Sequence, residues 1–501
     1  MSIFHSSLSR RDFMKTLGLG GVGLGAASLL APTFHDFDEL AAAPQGQQKR
    51  PWYVKEKELY NPSIDIDWSM MQRWDYRNEA HSAHTVAQYY DPTRVRNWAA
   101  TGSAAAAAAE SANRSGYTLR SQALRYGQMR ASYAHTFANG PTDTSFSKVK
   151  TPAERGVAKW TGTPEEAASM LRAALRVYGA SLVGYGPVDQ QLRDKVVNSY
   201  SQQNSRGNEY IDNWPPPLSV SPKIVYENVD LGYEDKTAGK MVIPAKDMWY
   251  VSISLQGSNE LFRSVISHLG NVANTATFYN SENLYASMWQ FLRYLGYQSL
   301  GYMGDTQDPI NHSAGGILSG LCEQSRANNY SFTPEYGPPG RFFAMITDLP
   351  LTPTNPIDSG MWRFCHSCHK CANHCPPSVI SQDTAPTYDI PTLNGKQEIF
   401  HRPGPKAFWT DMAGCQLFSQ ETGAGCRTCW ASCTFTVNHS AMVHQLVKGT
   451  ITTTPIFNGF LFHMAENFGY GQKDPEAWWD KSLPPVGYDG SEVSLSGGYN
   501  K

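Results

Sequence analysis

Eight of the nine cysteines in this 501-residue chain fall between residues 365 and 433, and that crowding constrains the fold more than any other feature. A disulfide framework spreads its pairs along a chain, and thiols two or three residues apart pair only with strain. The first run reads Cys365-x2-Cys368-x2-Cys371-x3-Cys375-Pro376, and the second reads Cys415-x10-Cys426-x2-Cys429-x3-Cys433. Such spacing lets a tight loop wrap three thiolates around one metal cluster and send the fourth to another. Four thiolates also suit a tetrahedral zinc ion. Two runs that share the ending C-x2-C-x3-C favour a pair of iron–sulfur cubanes instead.

The spacings resemble the two-cluster ferredoxin arrangement, and that resemblance implies crossed ligation. Cys365, Cys368, Cys371 and Cys433 would hold one 4Fe-4S cluster, while Cys415, Cys426, Cys429 and Cys375 hold the other. Thr434 stands where a proline often follows the last cysteine. His366, His369 and His374 lie among the ligands but are read as loop residues, because thiolates fill both sites. Cys322 stands apart as a buried thiol.

The compartment is legible at the N-terminus. Ser9-Arg10-Arg11-Asp12-Phe13-Met14-Lys15 precedes an apolar, glycine-rich run from Leu17 to Ala31, the pattern of a twin-arginine export signal cleaved near Ala43. That route carries folded proteins, which suits cofactors inserted before transport. No later stretch offers about 18 uninterrupted apolar residues, so membrane attachment would need a partner. The net charge of −2 gives no field to gather nucleic acid. Aromatic residues at 12% of the chain suit a bulky apolar cavity as well as an ordinary core.

The chain divides into a leader (1–43), an irregular and helical unit (44–150), a core (151–355), the cysteine unit (356–440) and a C-terminal segment (441–501) that packs back on the core. The alanine run Ala104 to Ala109 reads as helix. Thr163, Pro164 and Glu166 form a capping box opening an amphipathic helix that ends before Gly179. Strand patterns follow at Ala180 to Gly186, Ile224 to Tyr226 and Trp249 to Leu255. A second helix spans Leu284 to Leu295 and stops at Gly296, before a loop from Gly301 to Gly316. Helix and strand alternate, so the middle is α/β.

Beyond the cysteines, the chain resembles the corrinoid-dependent respiratory reductive dehalogenases. The resemblance is carried by the leader, Gln290-Phe291-Leu292-Arg293-Tyr294-Leu295-Gly296-Tyr297, Gly320-Leu321-Cys322-Glu323, Thr333-Pro334-Glu335-Tyr336-Gly337-Pro338, Arg341, Thr347-Asp348-Leu349-Pro350-Leu351 and both cysteine runs. It implies a nitroreductase-like α/β core binding a corrinoid (cobalamin) base-off, and a ferredoxin-like unit that feeds it electrons. It also implies an organohalide substrate, a small membrane-anchor protein, a respiratory electron donor and a site on the outer face of the cytoplasmic membrane. For catalysis it implies Tyr279 as proton donor, Arg341 as the cation stabilising its phenolate, and Asn311 near the substrate. Tyr279 stands one residue nearer the Gln290 block than the family pattern, with Phe278 in the strict register. A tyrosine needs a cation nearby to become a ready acid, and arginine stays charged. The D-x-H-x-x-G signature of other cobalamin sites is absent. Two other readings stand beside this one: an epoxyqueuosine reductase-like corrinoid enzyme, and a pure electron-transfer subunit.

Overall fold

The computed structural model describes residues 50–127, 135–136, 140–141, 148–202, 205–301, 309–328, 330–437, 447–451 and 470–480. The expected twin-arginine leader and most of the 441–501 segment lie outside the described residues. Near the start, helix α1 (Ala83–Tyr89) is capped by the Ser82 side chain, and α2 (Pro92–Ser111) begins with Asp91 accepting from the Thr93 amide and Pro92 at its first turn. Both caps satisfy amides that a helix N-terminus leaves without partners.

The core opens with α3 (Pro164–Val177), where the capping box forms: Thr163 Oγ1 accepts from the Glu166 amide at 3.2 Å, and Glu166 Oε2 accepts from the Thr163 amide at 2.8 Å. Strand β1 (Leu182–Pro187) follows, then a small sheet of β2 (Lys223–Glu227), β3 (Tyr233–Asp235) and β4 (Lys240–Pro244). Next come β5 (Trp249–Gln256), the long helix α4 (His268–Leu295), β6 (Ser299–Leu300), α5 (His312–Leu318) and β7 (Gly340–Thr347). The main sheet has the order β1-β5-β7-β6 with every neighbouring pair antiparallel, in a register that sets Arg341 opposite Leu255 and Val183 opposite Ile253. In the small sheet β4 is central, parallel to β2 and antiparallel to β3.

Side chains alternate between the two faces of a strand, and both faces of the main sheet are covered. Val251, Ile253, Leu255, Phe343 and Met345 meet Leu171 and Leu175 of α3 and Leu284, Met288 and Leu292 of α4. Tyr250, Ala344 and Ile346 turn the other way, toward Leu318 of α5 and the small sheet's Ile224, Met241 and Ile243. Parity therefore sends Arg341, which shares its face with Phe343, toward α4.

Helix α4 starts at His268 rather than Leu284. Its first half is rich in Asn and Thr, which are weak helix formers, and the pattern there is correspondingly faint. Packing overrides propensity: Leu269, Val272 and Ala273 bury against Leu261 and Phe262, and Ser267 caps the end by accepting from Gly270. At the far end Gly296 takes φ 96°, the left-handed conformation that closes a helix. The Gly301 to Gly316 loop contains α5, and its residues 302–308 lie outside the described residues.

The cysteine unit carries its ligands on or beside short helices, α6 (Met361–Cys365), α7 (Lys370–Asn373), α8 (Met412–Glu421) and α9 (Thr428–Ser432), with a small hairpin of Thr392–Leu393 and Lys396–Gln397 between α7 and α8. It packs on the N-terminal helices, with Ala413 and Leu417 of α8 among Ala83, Val86, Val95 and Trp98. A Cβ added at Gly102 of α2 would collide with the Gln420 carbonyl and the Gly423 backbone, so two glycines set how closely α2 approaches the end of α8. Trp478 and Trp479 rest against Phe262 and Leu269. Among the described residues, no helix is long and apolar enough to cross a membrane.

Candidate functional site

The eight clustered cysteines divide between two cavities. Cys365, Cys368, Cys371 and Cys433 line a small one, together with Arg326, Tyr330, Phe364, Lys370 and Phe435. Cys375, Cys415, Cys426 and Cys429 line a cavity of about 870 Å³. Local structure produces the exchange. The turns of α6 and α7 curl Cys365, Cys368 and Cys371 inward, the chain leaves α7 at Cys375 and Pro376, and α9 directs Cys429 to one cavity and Cys433, at its C-cap, to the other. Tyr330 stands at the junction, lining the small cavity while its hydroxyl donates to the Cys429 carbonyl at 3.4 Å.

These thiols are costly to ionise on their own. Burial and neighbouring thiolates push Cys365 and Cys429 well above the ordinary thiol range, and burial pushes Cys433 up to about 12. Opposing that, the Lys370 amide donates to Cys368, the Phe435 amide to Cys433 and the Thr428 amide to Cys426. Sulfurs gathered in fours, buried, and provided with backbone donors fit iron–sulfur clusters, whose iron supplies the positive charge the thiolates lack. Among the described residues, no group of three or more His, Cys, Asp or Glu side chains is arranged to hold a lone metal ion.

Arg326 organises the first loop, and nothing in the sequence pattern marked it. Its side chain is fully buried, lies 3.9 Å from the centre of the Phe408 ring, and donates to the carbonyls of Cys365 (2.9 Å), Cys368 (3.0 Å), Ser381 (3.0 Å) and Asp383 (2.8 Å). A guanidinium presents its donors in a rigid fork, so one side chain fixes both the ligand loop and the segment after it.

The large cavity extends from its cysteines to Arg341 and Phe278. One wall is a stripe of α4, His268, Asn271, Asn274 and Phe278, whose spacing of three and four residues puts them on one helical face. Another is a face of small residues on α2, including Ala99, Gly102, Ser103, Ala106 and Ala107. The alanine-rich stretch is helix, as its composition indicates, and it also makes room. At the Arg125 end, the buried His268 ring places Nε2 2.6 Å from Glu110 Oε1, with the Arg125 guanidinium against Nδ1. Burial lowers the pKa of His268, while Glu110 opposes the shift.

The residues expected to catalyse separate. Arg341 lies in the cavity with its guanidinium carbon 3.4 Å from the Phe278 ring centre. Tyr279 is 40% exposed and is not among the lining residues. Successive helical residues are turned by about 100°, so with Phe278 facing the cavity Tyr279 faces away. Asn311 is the N-cap of α5, where its Oδ1 accepts from the Ala314 amide at 3.2 Å, and it too is absent from the lining. Its capping role follows from its chemistry.

Comparison with known proteins agrees with this architecture. Residues 49–351 match the family described as reductive dehalogenase subunit. The chain is 30% identical to the chloroethene reductive dehalogenase of Dehalococcoides mccartyi strain VS, across 98% of this chain and 99% of that protein. It is 29% identical to the trichloroethene reductive dehalogenase of D. mccartyi strain 195, across 96% and 98%. Its fold is similar to that of the catabolic reductive dehalogenase NpRdhA, with a TM-score of 0.56 and 16% identity over 87% of this chain. This chain spans 52% of that longer protein.

Proposed function

This chain belongs to the reductive dehalogenase family of oxidoreductases, and from that premise we propose that it replaces a halogen by hydrogen on an organohalide, using two 4Fe-4S clusters and a base-off corrinoid. One observation carries the reading: a single large cavity has four cysteines on its wall and Arg341 with Phe278 on the same lining. The net reaction consumes two electrons and one proton and releases the halide and the hydrogenated product. The corrinoid would supply a strongly reducing cobalt centre, and the clusters one-electron carriage.

Cys365, Cys368, Cys371 and Cys433 would hold the cluster that takes electrons from the respiratory donor, and Cys375, Cys415, Cys426 and Cys429 the one facing the cavity. Arg341 places a fixed positive charge where the departing halide and the developing negative charge on carbon need it. Phe278 presents an apolar face to the substrate. Proton delivery falls to the polar stripe of α4, in which His268 is hydrogen-bonded to Glu110 of α2 and Asn271 and Asn274 continue toward Phe278. Export by the twin-arginine route and attachment to a small anchor protein complete the proposal.

The test is to denature the purified protein and assay iron, sulfide and corrinoid, then supply a low-potential reductant and a panel of organohalides. Release of a corrinoid spectrum together with halide production is expected. Protein holding iron and sulfide without corrinoid overturns the reading in favour of an electron-transfer subunit.

A further inference from the structure

We infer that Arg326 and Lys370 make the cluster of the Cys365, Cys368, Cys371 and Cys433 set the easier of the two to reduce. The inference rests on the clusters proposed above. Adding an electron makes a cluster more negative, so its potential rises with nearby positive charge, which stabilises the reduced form. The low dielectric of a buried site strengthens that influence.

The two sets are surrounded differently. Around the first, Arg326 is 0% exposed and Lys370 1%, and both line the cavity. Lys370 sits between two ligands in sequence and donates from Nζ to the Tyr470 carbonyl at 2.9 Å. Arg326 hydrogen-bonds to the carbonyls of two ligand residues. A third buried cation, Lys448, is 2% exposed, is held by the Pro334 carbonyl at 2.8 Å, and acts electrostatically on Cys433. Buried cations are retained where a countercharge offsets their desolvation, and a four-thiolate cluster is such a countercharge. Beside the second set, Arg427 acts on Cys426 but is only half-buried, with its Nη1 3.4 Å from Asn271 Oδ1. Arg125 and Arg341, also half-buried, share that larger cavity with Glu110.

Arg326 and Lys370 are thus positioning residues for charge, and the asymmetry gives electron flow a form. The first cluster collects an electron readily, and the second, harder to reduce, delivers it at low potential into the cavity. Each cluster takes up one electron per step, supplied in the test by a chemical reductant.

The experiment is an EPR-monitored redox titration of the cofactor-loaded protein, with iron and sulfide measured alongside. Two reduction steps are expected. Lys370→Met should shift the higher one negative by about 59 mV, a tenfold change in the reduction equilibrium, and leave the lower one in place. Lys370→Arg should restore the wild-type position, and Arg427→Gln should move only the lower step. Should Lys370→Met fail to assemble, Lys448→Met, outside the ligand loops, reads the same shift. Two signals that none of the lysine variants moves, at full iron content, overturn this inference alone. A protein without iron–sulfur signals overturns both it and the proposed function.

Discussion

The guanidinium of Arg341 lies over the Phe278 ring, its central carbon 3.4 Å from the ring centre, while Tyr279, next to Phe278 in sequence, is absent from the cavity lining. A cation over an aromatic face is worth roughly 0.5–2 kcal/mol, enough to hold Arg341 in one place. Arg341→Gln is therefore expected to lower kcat/KM by roughly 100-fold or more, the scale of losing a preorganised electrostatic contact. Tyr279→Phe should stay within about twofold of wild type, because its hydroxyl is outside the lining. A folded Tyr279→Phe protein that loses most of its activity would overturn this placement.

Cys375 and Cys433 each end one run and line the cavity of the other run's thiols. A cluster short of one ligand loosens the loop that carries ligands of its neighbour. Cys375→Ser or Cys433→Ser should therefore take the iron content from about eight per chain to half or below, with both EPR signals altered. Loss confined to one signal, the other unchanged in shape and yield, would show that the loops fold independently.

How much of this was legible in the sequence depends on the physics involved. The cysteine spacing pointed to cluster-binding loops because such loops are local structure, while their crossed pairing came only from the resemblance to two-cluster ferredoxins; Thr163 with Glu166 predicted a helix start because a capping box is local too. Phe278 and Tyr279 were harder: one residue of register decides which side of α4 faces the cavity, and the polar first half of that helix is held by Leu269 and Val272 packing against Phe262. Arg326 left no trace, since a lone arginine becomes a clamp only when Cys365, Cys368 and Asp383 converge on it. His268, Glu110 and Arg125 likewise come from distant segments.

Asn311 caps α5 through the Ala314 amide. Replacing a cap with alanine costs about 0.5–2 kcal/mol, so Asn311→Ala should lower the unfolding free energy by that amount while leaving kcat per folded molecule unchanged. Asn311→Asp keeps the acceptor and should keep the stability. A fall in kcat at full cofactor content would place Asn311 at the substrate.

Gly102 lets α2 touch the turn after α8, and a Cβ there would meet backbone atoms of Gln420 and Gly423. Backbone cannot rotate aside as a side chain can, so Gly102→Ala should cost about 1–3 kcal/mol by overpacking. Because α2 also forms a wall of the large cavity, corrinoid content should drop with it. Unchanged thermal stability would show that the two segments separate freely.

His84 is buried against Trp214, ring centres 3.7 Å apart and nearly parallel, with its Nε2 2.6 Å from the Gln88 amide nitrogen. That nitrogen accepts a hydrogen bond only while unprotonated, and burial pushes the pKa of His84 down to about 4. An unfolded histidine titrates near 6.5, so between the two values the unfolded chain binds the extra proton. Stability from this group is therefore complete above pH about 6.5 and is lost as the pH falls through that window toward about 4. Burial lowers His268 in the same direction. Thermal unfolding of wild type and His84→Phe, followed from about pH 7.5 to 4.5, should show a shallower acid-side loss in the variant, whose ring keeps the stacking without the titration. Equal slopes would mean that His84 takes up its proton in the folded protein as it does in the unfolded chain.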